Sequence, residues 1–132
     1  MALFAFGLQA VLDERVRAED RARAAFSYAR QEEFRAQRAL ADAASHVHDP
    51  SAVVLLELRE RAGIARRRSV ENKCAAARSA RDAFERARYA RLQLTTLRER
   101  AYRRFSQEKT LRESRELDEA NRSRLAPGRR VG

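Results

Sequence analysis

Residues 76–101, AARSARDAFERARYARLQLTTLRERA, carry the most regular pattern in this chain of 132 residues. Ala76, Ala80, Ala83, Ala87, Ala90, Leu94, Leu97 and Ala101 fall alternately four and three apart without a break. A helix turns once in about 3.6 residues, so this alternation lays one narrow apolar stripe along it, suited to a partner helix. No proline interrupts the chain from Ser51 to Arg124, and a second helix is expected over about 53–124. Gly63 is its weak point, costing about 1 kcal/mol relative to alanine, and marks where it would bend or break. Pro127 and Gly128 end it, leaving residues 125–132 as a flexible basic tail.

The partner for that stripe lies earlier in the same chain. From Phe4 to Val47 there is no proline and the only glycine is Gly7, so a first helix is expected over about 4–47. Apolar residues at Phe4, Leu8, Val11, Ala18, Ala22, Ala25 and Ala29 follow the same alternation, interrupted by Arg15. The seam then shifts to Ala36, Leu40, Ala43 and Val47, which reads as a stutter. Between the helices, Ser45-His46-Val47-His48-Asp49-Pro50-Ser51 concentrates poor helix formers, with the turn at 48–52. Asp49 can cap the next helix with Pro50 at its first position, where a missing N–H does no harm. The expected fold is all-α: a single domain, 1–132, forming a long two-helix antiparallel coiled-coil hairpin with a longer second helix.

Composition supports this reading. Charged residues make up 36% and hydrophobic residues 44%, much of the latter alanine, while Gly 4 and Pro 2 leave few places to turn. Alanine layers stabilise less than leucine layers, since each buried methylene is worth about 0.8 kcal/mol. The pair should therefore be marginally stable and gain from docking against something larger. The net charge of +10 is concentrated after Pro50, with one cluster at Arg59, Arg61, Arg66, Arg67 and Arg68 and another from Arg122 to Arg130. Such clusters are solvated helix faces laced with ion pairs, or surfaces that steer an acidic partner.

The sequence holds no phosphate-binding glycine loop, no HExxH motif and no Ser-His-Asp arrangement suited to a pocket. Neighbouring acids such as Glu32-Glu33 diverge on a helix. An enzyme is not expected, and neither is a cofactor or a metal. His46 and His48 with Asp49 alone make no convincing metal site. Cys74 is the single cysteine, which excludes an internal disulfide. The longest later apolar run, Ala52 to Leu56, is far short of the roughly 20 residues a membrane crossing needs. The apolar opening lacks the basic start of a secretory signal, so a cytoplasmic protein is expected. A basic coiled coil could touch phosphates non-specifically, but no motif for specific nucleic-acid binding is present.

If the chain reverses near Asp49, the first helix reaches only about Gln93 to Leu97, and roughly 25 to 30 residues of the second run on beyond it. That overhang carries Tyr102, Phe105, Leu111 and Leu117. Beside the alanine seam runs a row spaced by seven, Phe84, Arg91, Arg98 and Phe105. Phe84 is expected to thicken the core; Phe105, whose neighbour helix has ended, is expected to anchor a partner.

The two ends carry a further signal. The opening Phe4-Ala5-Phe6-Gly7-Leu8-Gln9-Ala10-Val11-Leu12-Asp13-Glu14-Arg15, then Ala18-Glu19-Asp20, resembles the start of the flagellar export protein FliJ family. Tyr102-Arg103-Arg104-Phe105, then Glu108, Glu113 and Glu116-Leu117-Asp118-Glu119-Ala120, is similar to that family's closing stretch. The resemblance implies a non-enzymatic, central-stalk-like coiled coil of the type III export apparatus. It would be cytoplasmic and peripheral at the cytoplasmic face of the inner membrane. Its implied partners are the hexameric flagellar export ATPase, the cytoplasmic domain of the export gate and export chaperones. Phe4, Phe6, Leu8, Leu12, Tyr102, Phe105, Leu111 and Leu117 would meet the ATPase ring. Arg59, Arg66, Arg67 and Arg68 would meet the gate or another acidic partner. Val11, Ala22, Ala29, Leu40, Ala76, Ala80, Ala83, Ala87, Leu94 and Leu97 would form the seam. A coiled-coil scaffold or adaptor unrelated to export accounts for the seam equally well, but not for the ends.

Overall fold

A computed structural model describes residues 3–45 and 53–125. It contains two helices, α1 over Gln9–Ser45 and α2 over Val53–Leu125, and no strand among the described residues. The protein is an all-α antiparallel hairpin whose second helix is the longer, 73 residues against 37. The expected turn at 48–52 lies outside the described residues, as do residues 126–132 of the basic tail. Gly63 interrupts nothing: α2 passes through it as one helix. The tertiary contacts divide the chain into two units, Asp13–Arg91 and Met1–Leu12 with Leu92–Gly132.

Within the Asp13–Arg91 unit the antiparallel pairing is read from three contacts. Glu19 meets Arg91, Phe26 stacks on Phe84 with ring centroids 6.2 Å apart, and Glu33 accepts from the Cys74 thiol at 3.4 Å. Each advance along α1 is matched by a retreat along α2. On α1, Glu19, Ala22, Phe26, Ala29, Glu33, Ala36, Leu40 and Ala43, alternately three and four apart, are wholly or partly buried and form the seam, with Ala18 and Glu32 half-buried beside it. On α2, Val70, Lys73, Ala77, Ala80, Phe84, Ala87 and Arg91 follow the same alternation, with Cys74, Ala83 and Ala90 half-buried beside them.

This corrects the expected seam by one residue. Ala80 and Ala87 lie in it as expected, but Ala76 is exposed and Ala77 is 4% exposed in its place. Ala83 falls beside the seam, half-buried, next to Phe84. The row of Phe84 and Arg91 is a seam row and not a neighbour of one. The stutter also disappears. Ala22, Ala29, Ala36 and Leu40 belong to one regular series once Glu19, Phe26 and Glu33 supply the missing positions. The physical reason is that a search for apolar residues passes over charged ones, and here charged groups occupy interior positions because partners meet them.

In the other unit, α1 starts five residues later than expected. Residues 3–6 have no regular structure, and the Phe6 carbonyl accepts from the Gln9 amide at 3.0 Å to open the helix. Gly7 is a poor helix former, and exposure alternates before it: Leu3 and Ala5 face outward, Phe4 and Phe6 are half-buried. A period of two is the signature of extended chain. Extended backbone also covers more length per residue than the about 1.5 Å of a helix. Phe4 thereby reaches Phe105, seven residues beyond Arg98, while Arg98 itself binds Gln9. Leu12 is buried, while Val11 and Leu97, both expected in the seam, are exposed, Leu97 by 45%. Leu94 is half-buried.

Candidate partner-binding surfaces

The residues expected to meet a partner fall into two groups. The first surrounds Phe4. Its ring packs edge-on against Tyr102 at 5.2 Å between centroids and tilted against Phe105 at 5.5 Å. The Arg98 guanidinium lies over the same ring at 5.6 Å, and its Nε donates to Gln9 Oε1 at 2.9 Å. Arg98, Tyr102 and Phe105 are four and three apart on α2, so one helix face presents them together. Cation–π and edge-on aromatic contacts each favour such a cluster, by roughly 0.5–1.5 kcal/mol.

This alters the role expected for Phe105. It has a neighbour, because the irregular segment reaches it where a helix would have stopped short. Of the remaining members, Phe6 is half-buried, Leu12 buried, and Leu8 exposed. Beyond Phe105 every described residue of α2, from Ser106 to Leu125, is exposed. Leu111 and Leu117 are 58% and 66% exposed on this stretch, and acids and bases alternate between them. The hydroxyl of Thr110 donates to the Ser106 carbonyl at 2.9 Å, so it supports the helix locally.

The second group is the basic cluster near the start of α2. Arg59 and Arg66, seven apart, continue the seam row of Lys73, Ala80 and Ala87. Arg67 and Arg68 follow Arg66 at steps of about 100° around the helix, so the three diverge and form no single patch. Arg67 donates from Nε to the Gly63 carbonyl at 3.4 Å. Arg61 and Arg68 share a different face with Ile64, which is exposed, along a shallow surface depression continuing to Lys73. A second depression runs along α1 from Ser27 to Gln37. Each is lined by one helix alone, so neither encloses a ligand.

The most buried polar group in the described residues is Glu19, with its side chain 4% exposed. Arg91 reaches it with both Nε and Nη2, the latter at 3.3 Å from Glu19 Oε1, and Arg23 Nη2 approaches the same oxygen at 3.4 Å. The hydrogen bond from Arg91 lowers the Glu19 pKa against the opposing effect of burial. The same bond raises that of Arg91. Cys74 is shifted the other way: burial and the adjacent Glu33 carboxylate push its thiol up, favouring the neutral form. Sequence reading missed Glu19, Phe26 and Glu33 as interior groups. The signal was available in their spacing of seven.

No group of three or more metal-ligating side chains occurs among the described residues, and His46 and His48 lie outside them. No described helix is long and apolar enough to cross a membrane. Comparison with protein-family models, curated proteins and solved structures finds no match.

Proposed function

We propose that this protein is a non-enzymatic, stalk-like component of a flagellar type III export apparatus. It docks in the hexameric export ATPase and helps couple it to the membrane export gate. The observation that carries the reading is the α2 stretch from Ser106 to Leu125, exposed throughout and bearing Leu111 and Leu117. It adjoins the aromatic cluster that gathers the chain's opening against Tyr102 and Phe105. Those are the two sequence segments whose resemblance to the FliJ family suggested the function. A projecting helix beside an ordered, aromatic-braced end offers an insertable element to a ring.

The gate contact is assigned to the basic residues early in α2, where Arg61 and Arg68 with Ile64 provide the more coherent face. Export chaperones are further partners on this reading, and the working location is peripheral at the cytoplasmic face of the inner membrane.

Replacing Leu111 and Leu117 together by glutamate tests the proposal. Both side chains are exposed, so helicity should stay unchanged, while binding to the same organism's hexameric export ATPase should fall at least about tenfold, 1.4 kcal/mol. Unchanged binding by the variant, or no binding by the wild-type chain, would count against it.

A further inference from the structure

We propose that the Glu19–Arg91 pair is a register lock: it fixes which residues of α1 face which residues of α2 in a seam otherwise free to slip by seven. The need for a lock follows from the alanine content. One seam row of the Asp13–Arg91 unit reads Ala22, Ala29, Ala36 and Ala43 on α1, and Lys73, Ala80 and Ala87 on α2. Moving one helix past the other by a heptad puts alanine where alanine was except at Lys73, a long, half-exposed side chain, so this row distinguishes the two arrangements only weakly.

Register information resides in the other row, Glu19, Phe26, Glu33 and Leu40 against Ala77, Phe84 and Arg91. As observed, the buried carboxylate has a two-pronged guanidinium partner and the two rings stack. A slip in one direction sets Glu19 against Phe84, taking away its two-pronged partner and leaving the buried carboxylate only the single contact with Arg23 of its own helix, an arginine 62% exposed. A slip in the other offers Glu19 the arginine seven residues on, Arg98, but it turns Glu33 toward Phe84 and takes the carboxylate from Arg91. A buried carboxylate that loses its main partner costs more than a lost methylene contact, even with Arg23 still beside it. The pair therefore acts chiefly by penalising wrong alignments, the role a single polar residue has in fixing coiled-coil register. Replacing both partners by aliphatic groups removes their desolvation cost and need not weaken the helix pair. Register and stability are separable on that ground.

The native cysteine supplies the reporter. Cys74 Sγ lies 4.0 Å from Gln37 Nε2, so a Gln37→Cys substitution reads the native register as an intrachain disulfide. A slip of seven would bring Arg30 or Ala44 opposite Cys74 instead. Each of Gln37→Cys, Arg30→Cys and Ala44→Cys is placed singly in the full-length chain and oxidised at low protein concentration. With Glu19 and Arg91 intact, only Gln37→Cys should close. With Glu19→Leu and Arg91→Leu, helicity should persist while Arg30→Cys or Ala44→Cys closes as well. Exchanging the charges, Glu19→Arg with Arg91→Glu, should restore closure through Gln37→Cys alone. Exclusive closure through Gln37→Cys in the leucine variant would overturn the proposal and assign register to Phe26 and Phe84. Should that variant lose helicity, Glu19→Gln decides instead, and exclusive native closure there overturns the proposal equally.

Discussion

Single side chains divide into those that stabilise the hairpin and those free to do something else. Glu19→Ala would strand the Arg91 charge at a site only 26% exposed, costing about 1–2 kcal/mol after allowing for partial solvation. Thermal unfolding followed by circular dichroism measures it. The same carboxylate gives a pH dependence with a definite sign. Its folded pKa lies below the ordinary 4.5, so the stability it contributes is present above that value and is lost as pH falls through the lowered one. Glu19→Gln should therefore flatten the acid limb of the melting curve, and an unchanged limb would assign that dependence to other carboxylates. Phe26 and Phe84 should show a coupling of roughly 0.5–1.5 kcal/mol in a double-mutant cycle, because their rings meet directly. Leu97→Glu should cost under about 1 kcal/mol, since that side chain is largely exposed.

At the scale of the helix, most of the architecture was legible and the register was not. The two helices, their order and the greater length of the second follow from proline placement and from apolar spacing of three and four. The seam was displaced by one residue because Glu19, Glu33 and Arg91 hold interior positions, and a carboxylate is discounted as interior until its partner is known. The late start of α1 was hidden for a different reason: Phe4 and Leu8 fit a helical seam as well as they fit an extended segment. Only contact with Tyr102 and Phe105 tips the balance toward the extended form. Gly63 was a fair warning, but the α-helix continues through it. A Cβ built there meets only the far end of Arg67, at 3.7 Å, so Gly63→Ala should stabilise α2 by up to about 1 kcal/mol. A lower melting temperature for that variant would mean the glycine serves something other than the helix.

Taken as a whole molecule, the protein is mostly exposed helix: among the described hydrophobic residues only Leu12 and Ala77 are buried outright. A chain that buries so little of itself gains stability by being held, since a partner binding only the folded form adds RT ln(1 + [L]/Kd). The proposed stalk role makes the export ATPase that partner and places the free stretch of α2 in its ring. The stoichiometry of the complex tests this most directly, measured as the mass of the assembled species when the full-length chain is added to the same organism's hexameric ATPase. A stalk occupying the axis of the ring predicts one chain for each hexamer, with the ring saturated at that ratio. A complex carrying one chain on every ATPase subunit, or no complex at all from a helical chain, would contradict it.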